Sequence, residues 1–225
     1  MAGKDKLRKF AEIRTFKNVY SSKNFTEPIV INSEEEELDI RGKWNEHFGN
    51  DNPIVLELAC GKGHYARGLG QRYPNKNFIG IDLKGNRIWK GASEALDNGE
   101  ENVAFLRARI EFLERYFAAG EVAEIWVTFA DPQYKKPKKR LTHARFLGIY
   151  KNILKEGGLV HYKSDSTELY EFTLEVLEEE KIPILYKNAD IYASELENPD
   201  LEIQTYYERM HLALNKTIKY VRFIP

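Results

Sequence analysis

From residue 54 onward, short runs rich in β-branched and aromatic residues alternate with stretches whose apolar positions recur every three or four residues. The runs IVLELA (54–59), NFIGIDL (77–83), NVAFLRA (102–108), EIWVTFA (124–130) and GLVHYKS (158–164) predict strands. Residues 64–73, 85–97 and 142–155 predict helices between them. In the last of these Thr142 is the expected N-cap. Phe146, Ile149, Tyr150 and Ile153 then share a face, and Gly157-Gly158 is the expected stop. Residues 166–180 predict another helix with Leu169, Phe172 and Val176 on one face, and ILY (184–186) and IKYVRFI (218–224) predict two closing strands. This alternation makes an α/β fold, a seven-stranded, mostly parallel sheet with helices on both faces. Ligands of such sheets sit outside the carboxyl ends of the strands, so each strand exit is a place to look for chemistry.

The 225 residues suit one domain, placed at 50–225, with 1–49 as a basic N-terminal extension and linker. Glu34–Glu37 is expected to be solvated linker or a helix start. With 31% charged and 12% aromatic residues the chain is neither collagen-like nor mostly disordered. The single cysteine, Cys60, excludes an intrachain disulfide and points to a reducing compartment; beside a strand end and without a partner imidazole, it reads as packing. The five histidines lack metal-ligand spacing, so no metal is expected. No apolar run reaches the roughly 18 residues of a membrane span, and the lysine-rich start lacks the apolar stretch of a signal peptide. A soluble, cytoplasmic protein without a membrane partner is the expectation.

A formal charge of −1 would argue against a polyanionic partner, but the charge is segregated. Residues 1–23 hold seven cations (Lys4, Lys6, Arg8, Lys9, Arg14, Lys17, Lys23) against Asp5 and Glu12. Residues 135–145 hold six (Lys135, Lys136, Lys138, Lys139, Arg140, Arg145) and no acid, while residues 165–208 carry thirteen acids against Lys181 and Lys187. A basic arm and a basic loop are thus offset by an acidic C-terminal third.

The first strand runs into Glu57-Leu58-Ala59-Cys60-Gly61-Lys62-Gly63 and a helix at His64. Small residues at 59, 61 and 63 let the backbone turn sharply and approach a ligand closely. The spacing is E-x-small-x-G-x-G, unlike the G-x-G-x-x-G that packs a pyrophosphate on a helix N-terminus. The next strand ends at Asp82, an acid that can accept from both hydroxyls of a ribose through charge-assisted bonds of about 1.5–3 kcal/mol. Loop and acid together resemble the cofactor site of class I S-adenosylmethionine methyltransferases, which have a Rossmann-like fold.

The fourth strand runs into Asp131-Pro132-Gln133-Tyr134-Lys135-Lys136-Pro137-Lys138-Lys139-Arg140-Leu141. A carboxylate held by a stiff proline turn beside a cluster of cations suits a reacting base whose phosphates are gripped nearby. Asp-Pro-x-Tyr is similar to the D/N-P-P-Y signature of enzymes that methylate exocyclic amines, with Gln133 in place of the second proline. The fuller resemblance is to bacterial tRNA (guanine-N7)-methyltransferases, with D-P-x-x-K, a basic cluster and R-L, although Gln133 stands where that family has Trp and the loop is shorter. KLRKFAEIRTFKNVY (6–20) is similar to that family's N-terminal arm, HYKSDS (161–166) to its H-x-K-[ST]-D segment, and Thr205-Tyr206-Tyr207-Glu208 to its T-x-[FY]-E motif.

The resemblance implies transfer of the S-adenosylmethionine methyl group to N7 of a guanine in the variable loop of tRNA. It implies cofactor contacts from Glu57, Ala59, Gly61, Gly63, Asp82 and Asp131. Arg109 stands where the family often has an acid near the adenine, so only its backbone amide is expected to serve. Asp131 is the implied catalytic carboxylate, and Lys135, Asp165, Thr205, Tyr206, Tyr207 and Glu208 are implied contacts to guanosine or tRNA. Two other readings remain open at this stage: a class I methyltransferase acting on an exocyclic amine or small molecule, and a non-catalytic RNA-binding module of the same fold.

Overall fold

The computed structural model of the chain describes residues 2–24 and 29–225, with residues 2–4 as backbone alone; the Lys4 side chain, counted in the basic arm, lies outside the described residues. In chain order the elements are α1 (Ala2–Glu12), a 3-10 turn (Ile13–Thr15), β1 (Val19–Ser22), β2 (Val30–Ile31), β3 (Glu37–Leu38) and α2 (Trp44–Phe48). There follow β4 (Ile54–Leu58), α3 (His64–Arg72), β5 (Asn77–Asp82), α4 (Gly85–Asp97), β6 (Val103–Arg107), α5 (Leu113–Tyr116) and β7 (Val122–Thr128). The chain closes with α6 (Ala144–Ile153), β8 (Leu154–Ser164), α7 (Thr167–Glu179), β9 (Ile184–Asn188), α8 (Tyr206–Ala213) and β10 (Lys219–Phe223).

All strands join one sheet in the order β3-β2-β1-β6-β5-β4-β7-β8-β10-β9. The run from β1 to β8 is parallel; β2 and β3 at one edge and β10 and β9 at the other are antiparallel. The seven expected strands are present. Three more come from residues 19–38, so among the described residues the sheet has ten strands rather than seven. Strands of two to four residues carry too little alternation to be read from a pattern. Building starts at β4 and proceeds outward through β5 and β6, then jumps back to β7 on the other side. That switch opens a crevice at the carboxyl ends of β4 and β7.

Strands buried on both faces read as continuous apolar runs, and β4 is buried at every position. Leu56, Leu58, Ile79, Ile81, Ile125 and Val127 face one core with α2, α5, α6 and α7. Val55, Phe78, Phe105 and Trp126 face the other, with α3 and α4. No helix among the described residues is long and apolar enough to cross a membrane.

Several local expectations change. His143, not Thr142, caps α6: its Nδ1 accepts from the Arg145 amide at 3.1 Å, while buried Thr142 turns inward to accept from the Thr173 hydroxyl at 2.8 Å. The helix stops at Ile153 and passes straight into β8, so Gly157, at φ +70°, lies inside the strand span instead of ending the helix. Ser166 caps α7 through the Leu169 amide. The Glu34–Glu37 run is solvated and starts no helix; it turns from β2 into β3, Asn32 Oδ1 accepting from the amides of Glu34 and Glu36, and Glu37 enters β3. α8 arises between the two closing strands, where no helix was expected.

Candidate active site

The loop after β4 is shaped by three residues in the left-handed region: Ala59 at φ +54°, Gly61 at +56° and Gly63 at +65°. Only glycine occupies that region without strain, so Ala59 carries a steric cost. The two glycines serve different ends. A Cβ on Gly63 would stand 2.4 Å from Phe105, whereas a Cβ on Gly61 would meet nothing within 4 Å, so Gly61 leaves its backbone open to the crevice. From behind, Gly91 of α4 packs so closely that a Cβ there would lie 2.2 Å from the Lys62 carbonyl oxygen.

Two carboxylates fix this loop. Glu57 is buried: the Ala66 amide donates to its Oε2 at 2.8 Å, tying the strand to the first turn of α3. Burial pushes its carboxyl up to about 8, against the opposing pull of the Ala66 and Tyr65 amides and the Thr128 hydroxyl. It lies beneath the loop and holds it, while the crevice wall is formed by Ala59, Gly61 and Asp82. Asp82 accepts from the Gly61 amide (Oδ2, 3.0 Å) and the Lys84 amide (Oδ1, 2.8 Å), and lines the opening. Burial pushes the Cys60 thiol well up, as a packed, unreactive thiol requires.

Beyond β7 the backbone is strained on both sides of the acid, with Phe129 at φ +50° and Gln133 at +49°. Asp131 is exposed at the lip, and its Oδ1 accepts from the Gln133 amide at 2.9 Å. Arg140, expected among the RNA-facing cations, is buried: its Nε donates to the Pro132 carbonyl at 3.0 Å, its Nη2 pairs with Glu168, and it sits over the Phe172 ring. It braces the Asp131-Pro132 turn. Lys135, Lys136, Lys138 and Lys139 are exposed.

Three adjoining hollows follow the crevice. The first, about 300 Å³, lies between Ala59–Lys62, His64, Arg87, Phe129 and the Thr205–Tyr207 segment. The second, about 540 Å³, is bounded by Asp82, Asp131, Tyr134, Asp165, Tyr207 and Lys216 among others. The third, about 350 Å³, reaches Arg109 beside Ala108 and Ile110. Asp165 accepts from Lys216 at 3.0 Å, with His211 Nε2 3.4 Å away. Burial, then the charges of Arg209 and Lys62, pull His64 down to about 4.

The Thr205–Glu208 segment splits. Thr205 and Glu208 form a capping box at the start of α8, Thr205 Oγ1 accepting from the Glu208 amide (3.0 Å) and Glu208 Oε2 from the Thr205 amide (3.3 Å). Glu208 is fully buried, and its Oε1 takes the Lys163 ammonium and the Tyr192 hydroxyl. Its oxygens face inward, not toward a guanosine. Tyr206 and Tyr207 are 50% and 44% exposed and stand at the crevice, with the Lys62 ammonium 4.6 Å over the Tyr206 ring. The T-x-x-E pattern is itself a helix-start signal, so α8 was readable from residues 205–208. Lys62, Arg87, His211 and Lys216 line the site without any sequence signal having marked them.

Residues 51–221 match the model of a family described as "Putative methyltransferase". A tRNA (guanine-N(7)-)-methyltransferase of Bacteroides thetaiotaomicron is 47% identical over 98% of this chain and 86% of its own length. One from Porphyromonas gingivalis is 52% identical over 86% of the chain and 80% of its own length. The chain belongs to this methyltransferase family. A crystal structure of the 16S rRNA methyltransferase KamB covers 84% of the chain and 95% of its own, at TM-score 0.62 and 13% identity, which supports the Rossmann-like class I fold. Against that family's motifs, the crevice gathers Ala59, Gly61, Asp82, Arg109, Asp131, Asp165, Tyr206 and Tyr207. Glu57, Gly63 and Glu208 sit behind its surface, and Lys135 stands on the exposed loop beside it.

Proposed function

We propose that this protein transfers the methyl group of S-adenosylmethionine to N7 of a guanine in the variable loop of tRNA. The observation that carries the reading is Asp131, held in a braced, strained turn between the Gly61 loop with Asp82 on one side and four exposed lysines on the other. The residues fit the cofactor. Gly61 leaves space for close backbone approach, and Asp82, fixed by two amides, keeps lone pairs for ribose hydroxyls. When bound there, S-adenosylmethionine supplies an electrophilic sulfonium methyl.

Guanine N7 carries a lone pair and no proton, so the chain needs no general base. Its residues have two tasks. One is alignment, worth roughly 7–11 kcal/mol in well-oriented intramolecular systems. Tyr206 and Tyr207 offer faces to an extruded base, and the lysine loop grips flanking phosphates. The other is charge: N7 becomes cationic as the bond forms, and the Asp131 carboxylate favours that state over the neutral ground state. Asp165, which lines the same hollow as Asp131, is the proposed acceptor for the guanine N1–H or N2–H₂ edge.

The test incubates the protein with unmodified tRNA and labelled S-adenosylmethionine, then cleaves with borohydride and aniline at 7-methylguanine. Label in tRNA with cleavage at a variable-loop guanine is expected. Label on an exocyclic amine, or none, would overturn the reading.

A further inference from the structure

A further hollow, about 640 Å³, lies apart from the crevice. It lies beside β1, walled by α1 and the following 3-10 turn (Phe10, Ile13, Arg14), by β1 (Val19, Ser21, Ser22), and by Arg107 at the end of β6. Parallel pairing sets Ser21 beside Arg107, so the hollow opens at the same carboxyl edge as the crevice.

Two guanidiniums share it. Arg107 is half-buried, its guanidinium 5.4 Å from the Phe10 ring centroid; exposed Arg14 lines the same hollow. Burial pulls Arg107 below its usual range, and the nearby Arg14 charge pulls the same way. Neighbouring guanidiniums on a concave, partly apolar surface make its field attractive to an anion. Lys23 also lines the hollow but is paired with Glu37; Glu35 is the acid on the wall.

The hollow is linked to the crevice. Asp82 accepts from the Lys84 amide, and Gly85, next in the chain, abuts Arg107 and Phe10 so closely that a Cβ would lie 3.2 Å from each. Lys84 and Arg87 line the crevice from that side. Cations therefore run from the lysine loop past Lys84 and Arg87 to Arg107 and Arg14.

We propose that this hollow is a second tRNA contact, binding a backbone phosphate away from the methylated guanine at Arg14 and Arg107, with the Ser21 hydroxyl beside it. The continuity of the cationic track favours an RNA phosphate over a free anion. The proposal rests on tRNA being the substrate.

Arg14→Gln and Arg107→Gln are compared with wild type in tRNA binding from low to high salt and in methyl-transfer kinetics. Each is expected to raise KM for tRNA roughly three- to tenfold and to flatten the slope of log K against log salt by about 0.7–0.9. Arg14→Lys is expected to restore both. S-adenosylmethionine affinity reports folding, and exposed Arg14 carries the test if Arg107→Gln unfolds. Wild-type slope and KM in Arg14→Gln would overturn the proposal, as would inorganic phosphate binding at the hollow while the variants keep the wild-type tRNA slope. A wild-type protein that does not methylate tRNA at guanine N7 overturns the functional reading instead, which is read first.

Discussion

The Lys163 ammonium and the Glu208 carboxylate stand 2.6 Å apart, and neither side chain is exposed. Lys163 also donates to the Tyr65 hydroxyl at 2.9 Å and the Leu201 carbonyl at 2.8 Å, joining β8, α3 and the start of α8. Removing one partner of such a pair leaves a buried charge without compensation, at about 3–5 kcal/mol. Glu208→Gln is therefore expected to lower stability by that order in urea unfolding, with any loss of methyl transfer following from it. Pairing Glu208→Gln with Lys163→Met should recover much of the loss. A stable Glu208→Gln protein with lost tRNA affinity would assign Glu208 to the substrate.

Asp131 is exposed and makes its described side-chain bond to its own turn, so its replacement should leave the fold intact. Asp131→Asn is expected to lower kcat roughly 10²–10³-fold, the scale of losing one preorganised electrostatic contact in a transition state. Equilibrium dialysis should find S-adenosylmethionine affinity nearly unchanged. Equal losses in both would mean that Asp131 holds the cofactor.

The basic loop divides by burial. Replacing Lys135, Lys136, Lys138 and Lys139 together with Gln should flatten the salt slope of tRNA binding by up to about 3–4 without moving the melting temperature. Arg140→Gln should do the reverse. Losing its bonds to Pro132 and Glu168 is expected to cost about 1.5–3 kcal/mol and lower kcat through the Asp131 turn. Thermal melts and salt titrations of the two variants make the comparison.

Glu57 gives the stability of this protein a pH signature. Its folded carboxyl titrates near 8 against an ordinary value of 4.5, so between these pH values the folded state holds a proton the unfolded state has released. Stability from this group is greatest below about pH 4.5 and falls as pH rises toward 8, each unit being worth about 1.4 kcal/mol at most. Glu57→Gln, which cannot ionise, should flatten the decline. Urea midpoints at pH 5.5 and 8.5 for both proteins test this.

The core was legible because strands buried on both faces are dominated by apolar runs, here residues 54–56 of β4, 78–81 of β5 and 125–127 of β7. The crevice was legible because its chemistry sits at strand exits, where Ala59–Gly63, Asp82 and Asp131 stand out against their surroundings. Burial of polar residues was not. Nothing in a line of residues separates Arg140, buried against Phe172, from Lys139 in solvent, or Glu208, facing Lys163, from Tyr207 at the crevice. Charge counts treated all thirteen cations of arm and loop alike, yet Arg8 and Lys9 pair with Asp5, and Lys23 pairs with Glu37. The short edge strands were hidden for a different reason. β1 pairs with β6 far along the chain, and β2 and β3 are added onto β1.

That pairing joins Val19 to Phe105 and Ser21 to Arg107. During synthesis β1 leaves the ribosome long before the segment it docks against, and must wait while β4, β5 and β6 emerge. Its brevity, and the two-residue length of β2 and β3, keep the waiting hairpin too weak a template to recruit other nascent chains. β1 thus emerges before the strand it pairs with, and the Arg14–Arg107 hollow can be completed only once β6 has been made.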